Sequence, residues 1–157
     1  LLTVMVPRHP QRFEEVAALV LQRGHKVQRR SENRPIDAGT DIVIGDSMGE
    51  MFAYYTACDI AFIGGSLLPL GGQNLLEACT VGRPVIVGPY TFNFEDATNG
   101  AIQAGAAIRV SDERELGSAI GQLVRDSNRR RAMSEAGKRF TDTHRGATEK
   151  TLRLLKW

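Results

Sequence analysis

With 157 residues the chain has single-domain length, enough to bury about 70% of its unfolded surface. Apolar residues make up 42% and charged residues 24%, an ordinary balance for a globular protein. A net charge of only +2 excludes nucleic-acid binding through overall basicity. No run of about 18 apolar residues occurs, so no membrane-spanning helix is expected.

The chain lacks an initiator Met and opens directly in an apolar run, as expected of a fragment cut at a domain boundary. Leu1 to Val6 reads as a strand covered on both faces, ending at Pro7. Arg8-His9-Pro10 forms the loop at its C-terminal end. Phe13, Val16, Ala17 and Val20 then follow the spacing of an amphipathic helix, with Gly24 as its stop. Lys26 to Arg30 is a shorter, more polar strand suited to a sheet edge, and Ser31 to Thr40 an exposed loop.

Asp41 to Gly45 reads as the next strand, and Asp46 to Glu50 as the opening of a helix that runs to about Ala57. Ile60 to Ile63 and Pro84 to Gly88 are further strands. A helix over about Glu95 to Ala104 precedes a last strand, Ala107 to Val110. Ser111 caps a helix with an acidic first turn and an inner face of Leu116, Ala119, Ile120 and Leu123. Asp126-Ser127-Asn128 breaks it, a second helix carries Met133, Ala136 and Phe140, and Ala147 to Lys156 reads as a third. Strands alternating with helices predict an α/β fold, a Rossmann-like doubly wound parallel sheet with extra C-terminal helices.

In such sheets ligands bind where strands end. Four glycines, Gly64, Gly65, Gly71 and Gly72, follow one such strand and flank Ser66 and Pro69. They permit close backbone approach, and a helix start near Asn74 offers unpaired N–H groups to an anion. Asn74 and Glu77 share a face of that helix. The Arg8 loop and the Asp46–Glu50 loop stand at equivalent strand ends.

Each candidate also has a plainer explanation. Arg8 is either an anion ligand or a solvated loop arginine, and His9 orients its loop. Ser47 with Glu50, and Asn74 with Glu77, both fit helix-capping boxes, a role compatible with ligand contact. Asp46 is a candidate base. Arg129, Arg130, Arg131, Lys138 and Arg139 read as a solvated basic face rather than a lipid surface. Cys58 and Cys79 sit in apolar segments, which argues against a disulfide framework or metal site and for a reducing compartment. No group of side chains has metal-ligand spacing.

Pro7 to Pro10, Gly45 to Glu50, Gly64 to Ser66, Pro69 to Gly72, Asn74 to Glu77, Gly88-Pro89 and Asn93-Phe94 occur in this order. Together they resemble the C-terminal half of bacterial 3-deoxy-D-manno-octulosonic acid (Kdo) transferases, from Val4 to about Asn99 and more loosely beyond. The resemblance implies the donor-binding domain of a GT-B glycosyltransferase. It places CMP contacts on Pro7 and Arg8, on Met48, Gly49 and Glu50, and on Asn74, Leu75, Leu76 and Glu77. Gly64, Gly65, Ser66, Gly71 and Gly72 would support the loop, and Arg8 would stabilise the leaving group.

The family transfers Kdo from CMP-Kdo to a lipid A precursor without a metal or other cofactor, at the cytoplasmic face of the bacterial inner membrane. Its catalytic glutamate and most of its membrane-contacting surface belong to an N-terminal acceptor domain that this chain lacks. On that basis residues 1–157 are expected to bind CMP without catalysing transfer, and to engage no nucleic acid. Gln73 stands where the family usually has His, and Leu75 where it usually has Pro, so a protonated-His role there is unavailable. A UDP-using GT-B transferase, a sugar-nucleotide epimerase and a non-catalytic nucleotide-binding module are the alternatives.

Overall fold

The computed structural model describes residues 1–143; the helix expected over Ala147–Lys156 and Trp157 fall outside the described residues. Among the described residues six short strands and six α-helices are interleaved, and every strand pairing is parallel. The α/β class read from the sequence therefore holds. Backbone contacts divide the chain into two compact units, Leu1–Tyr54 and Tyr55 onward. Hydrogen bonding gives each unit a three-stranded sheet of its own.

In the first unit β1 (Thr3–Met5), β2 (Val27–Arg29) and β3 (Ile42–Ile44) lie in the order β1-β3-β2, with Met5 and Arg29 both in register with Ile44. Helix α1 (Phe13–Gln22) covers β3 through Ala17 and Val20 and ends at Gly24, whose φ of +81° suits a residue without Cβ. Here one expectation fails. β1 is an edge strand whose three residues are all exposed, and the buried central place belongs to β3. An apolar run does not by itself say how many neighbours a strand will have. β2 is the edge strand expected. Its buried Gln28 donates to the Pro35 carbonyl and accepts from the Asp37 N–H, so it pins the following loop.

In the second unit β4 (Ala61–Phe62), β5 (Val85–Val87) and β6 (Ala107–Arg109) lie in sequence order. α3 (Leu76–Thr80) and α4 (Glu95–Gln103) form the crossovers, and α5 (Glu113–Arg125) and α6 (Ser127–Thr143) complete the unit. Asp112, rather than Ser111, caps α5: it accepts from the Glu115 N–H, while Ser111 bonds the Glu115 carboxylate. The central core joins Ile63, Leu75, Ala78, Cys79, Val85 and Val87 to Ala136 and Phe140 of α6.

Close helix contacts depend on two glycines in this unit. A Cβ on Gly137 would stand 3.1 Å from the Cys79 carbonyl, and one on Gly100 would stand 2.9 Å from the Phe140 ring. Both cysteines are free thiols, and burial pushes Cys79 up to about 11. The arginine run serves the α5–α6 corner. Arg130 donates to the last carbonyls of α5, at Leu123 and Val124, and Arg129 donates to Gln122. The stem of Lys138 lies over Gly82.

Candidate functional site

In the first unit two loops leave the same edge of one sheet. The chain departs β1 through Pro7, Arg8 and a short turn at Pro10–Arg12, and departs β3 through Gly45 to Glu50. Gly45 fixes their approach. Its N–H donates to the Met5 carbonyl at 2.8 Å, and a Cβ there would press within 2.9 Å of Val6 and the Tyr54 ring. Pro7 is half-buried, whereas Arg8 is exposed.

The expected helix start at Asp46–Glu50 is instead a loop. α2 (Met51–Ala57) begins only after it, with the Tyr54 N–H bonded to the Glu50 carbonyl. No backbone capping box forms there. The Ser47 hydroxyl donates to the Glu50 carboxylate and lies 3.0 Å from the Tyr54 hydroxyl, while Arg30 pairs with the other Glu50 oxygen at 3.1 Å. The Ser47 hydrogen bond, aided by the charge of Arg30, holds Glu50 below the usual carboxylate range. Met48 is 64% exposed, and Gly49 adopts a left-handed φ of +79° with open space where a Cβ would stand. The sequence pattern places Met48, Gly49 and Glu50 in one loop, and the structure holds that loop from the β2 side through Arg30 and Ser31.

Asp46 does not fit a base. Both its oxygens accept from Ser31, one from the N–H at 2.8 Å and one from the hydroxyl at 2.6 Å. Burial pushes its pKa up, but those bonds and the charge of Arg29 outweigh it and hold the group below the ordinary aspartate value. The resulting stabilisation is complete above the unfolded-state value of about 3.9 and is lost as pH falls through the lower folded-state value. Ser31→Ala should therefore raise the Asp46 pKa in a carboxyl NMR titration. The backbone N–H bond survives this change, so an unmoved titration would show that the serine hydroxyl does not set it.

In the second unit the glycine loop follows β4. Gly65, Gly71 and Gly72 have φ of +72°, +86° and +72°, and Gly64 faces open space. Ser66 is fully buried. Its Oγ donates to the Ile63 carbonyl at 2.5 Å and accepts from the Gly88 N–H at 2.8 Å. The segment after β5 completes the tie: the Tyr90 N–H donates to the Ser66 carbonyl, and the Asn93 N–H to the Gly71 carbonyl. A Cβ on Gly71 would fall on the Asn93 amide and the Phe92 ring, and one on Gly88 would strike the Ser66 backbone. Gly71 and Gly88 are therefore required by the protein's own loops.

The capping reading of Asn74 and Glu77 also changes. α3 begins at Leu76 with Leu75 at the N-cap. Asn74 Oδ1 accepts from the Leu76 N–H at 3.0 Å, and no reciprocal bond from Glu77 forms. A five-residue helix carries too little aligned backbone for its dipole to hold an anion alone. Leu75 is fully buried and Leu76 packs partly against the core, so their backbones, more than their side chains, are available to a ligand. The Glu77 side chain is exposed and makes no hydrogen bond or ion pair among the described residues. The Tyr55 phenol is pushed up to about 12, by burial first and by the charge of Glu77 second. No cluster of three or more His, Cys, Asp or Glu able to hold a metal occurs among the described residues.

Residues 21–140 match the family model described as Glycosyl transferases group 1. The chain belongs to the group 1 glycosyl transferases. As such it is 50% identical over 157 residues to a 3-deoxy-D-manno-octulosonic acid transferase of Bordetella pertussis, covering 99% of this chain and 36% of that protein. The Haemophilus influenzae transferase of the same name is 38% identical, with 99% and 37% covered. This group 1 chain thus spans little more than a third of the length of these relatives. Among solved structures, the C-terminal CMP-Kdo binding domain of WaaA from Acinetobacter baumannii superposes with a TM-score of 0.84 at 30% identity, covering 88% of this chain and 72% of that one. WaaG, a glycosyltransferase involved in lipopolysaccharide biosynthesis, shares the fold with a TM-score of 0.57 at 17% identity.

Proposed function

We propose that this chain is the donor-binding domain of a Kdo transferase and holds the CMP portion of CMP-Kdo. The observation that carries this reading is the likeness to a CMP-Kdo binding domain, with a TM-score of 0.84 at 30% identity. Near-complete coverage of this chain by transferases at 50% and 38% identity supports it.

In this reading Glu77 accepts hydrogen bonds from the ribose hydroxyls, and Asn74 with the backbone of Leu75 and Leu76 borders the nucleotide. The Gly71–Gly72 loop, closed on itself by the Gly72 N–H bonded to the Gly65 carbonyl at 3.0 Å, lies beside the phosphate with Asn74, and Gly64, Gly65 and Ser66 support it. Met48, Gly49 and Glu50 are assigned to cytidine and ribose by the family resemblance. Pro7 positions Arg8, whose guanidinium meets the charge that develops as the glycosidic C–O bond breaks and CMP leaves. Charge neutralisation thus rests on side chains and amides, without a metal. An acceptor hydroxyl on a lipid A precursor forms the new bond and gives its proton to a base in a separate N-terminal domain of the whole enzyme. That enzyme works at the cytoplasmic face of the inner membrane, with most of its membrane contact in the other domain.

The expected result is that the 157-residue chain binds CMP in a calorimetric titration, binds UDP more weakly, and transfers no Kdo from CMP-Kdo. Preference for UDP would assign the fold to a different donor. Transfer by this chain alone would overturn the division of labour.

A further inference from the structure

Arg109, at the end of β6, reaches to the segment that leaves β5. Its Nη1 donates to the Pro89 carbonyl and to Thr91 Oγ1, each at 3.1 Å, and its Nη2 donates to Asn99 Oδ1 of α4 at 3.0 Å. Arg109 is itself exposed, but Thr91, one of its three acceptors, is 5% exposed. The segment it holds grips the glycine loop in turn. The Gly88 N–H donates to Ser66 Oγ at 2.8 Å, and the Tyr90 N–H donates to the Ser66 carbonyl at 2.9 Å. Asn93 donates from its N–H to the Gly71 carbonyl at 3.2 Å and from Nδ2 to the Leu70 carbonyl at 3.3 Å.

We infer that Arg109 is a positioning residue for the donor site: it fixes the Pro89–Asn93 segment, which fixes Leu70 and Gly71. This inference rests on the proposal that the glycine loop faces the donor phosphate. A planar guanidinium suits the task because its donors are held in one rigid fork and can bridge a carbonyl, a hydroxyl and an amide at once. A lysine ammonium is a compact point donor on a flexible stem and cannot span the same three acceptors equally well. Arg109 touches no nucleotide in this scheme. It removes motion from the loop that does, so a bound nucleotide has less ordering to impose.

The test is CMP titration of the unaltered chain, Arg109→Ala, Arg109→Lys, Asn93→Ala and the Arg109→Ala/Asn93→Ala pair, with amide hydrogen exchange in the absence of CMP. Arg109→Ala is expected to weaken CMP binding about tenfold. Arg109→Lys should recover only part of that loss. The paired change should cost less than the product of the single effects, because both act through one segment. Exchange should rise at the Gly72 and Asn93 N–H groups while α5 keeps its protection, a selectivity that general destabilisation does not give.

Unchanged affinity and exchange in Arg109→Ala, with affinity lost in Glu77→Ala, would overturn the role of Arg109 and leave the donor reading standing. Failure of the unaltered chain to bind CMP would overturn both. Should Arg109→Ala not fold, Arg109→Lys decides: wild-type affinity and exchange in that variant count against the inference.

Discussion

Gly88→Ala is expected to destabilise the second unit by about 2–3 kcal/mol, lowering the melting temperature by on the order of 10 °C. A Cβ at this position would overlap the Ser66 carbonyl and stand 2.6 Å from the Leu67 nitrogen. Neither neighbour can yield cheaply. The Ser66 carbonyl accepts from the Tyr90 N–H, and its hydroxyl spans the Gly88 N–H and the Ile63 carbonyl within a fully buried site. Relief therefore means parting β5 from the glycine loop and leaving buried polar groups without partners. CMP affinity should fall with stability. Gly64→Ala is the matched control, because a Cβ there meets nothing within 4 Å, and its melting temperature should stay within about 1 °C of the unaltered chain. A melting curve for Gly88→Ala that coincides with the control would mean the two backbones separate without cost.

The second large effect is on binding alone. Glu77→Ala should weaken CMP affinity roughly 10- to 100-fold, the range for losing hydrogen bonds to a charged group. Folding should be nearly untouched. The sequence offered two explanations for this glutamate, helix cap and ribose ligand, which the same substitution would have confounded. The structure separates them: the side chain that bonds the start of α3 is Asn74, and the Glu77 side chain is exposed. Lost affinity at an unchanged melting temperature would support the ligand role. Equal affinity in a folded variant would remove Glu77 from the site.

What was legible in the sequence was periodic or locally encoded. The apolar face of α1 and its stop at Gly24, the six strands, and the order of helices could all be read from neighbouring residues. Contacts between distant residues could not. Leu1 to Val6 carries the composition of a covered strand, yet β1 lies at an edge because β3, some 40 residues later, takes the centre. Helix starts drifted for a related reason. Ser47 and Glu50 have capping spacing, but bonds to Tyr54 and Arg30 draw their side chains away from the helix backbone.

The glycine loop was the most informative stretch and also the most easily overread. Its glycines suggested space reserved for a ligand. At Gly71 the space is reserved for Asn93 and Phe92, which stand more than 20 positions away. Arg30, Ser31 and Arg109 carried no local motif at all, since their partners Glu50, Asp46 and Pro89 are 15 to 20 positions distant. The family resemblance supplied candidate residues, but it did not show that the Leu75 side chain is fully buried.

Gly137 of α6 lies against Cys79 of α3, where a Cβ would crowd the Cys79 carbonyl at 3.1 Å. A helix of only five residues has little persistence of its own, so the orientation of Glu77 is inherited from the seventeen-residue helix behind it. In a saturation screen scored by nucleotide binding, sensitive positions should therefore extend along the rear of the unit. Gly137 should tolerate large side chains poorly, while Arg131, exposed on the same helix, should accept most substitutions. A map of such sensitivity drawn without the structure would look like a second ligand site. It would instead trace the support on which the first one is mounted.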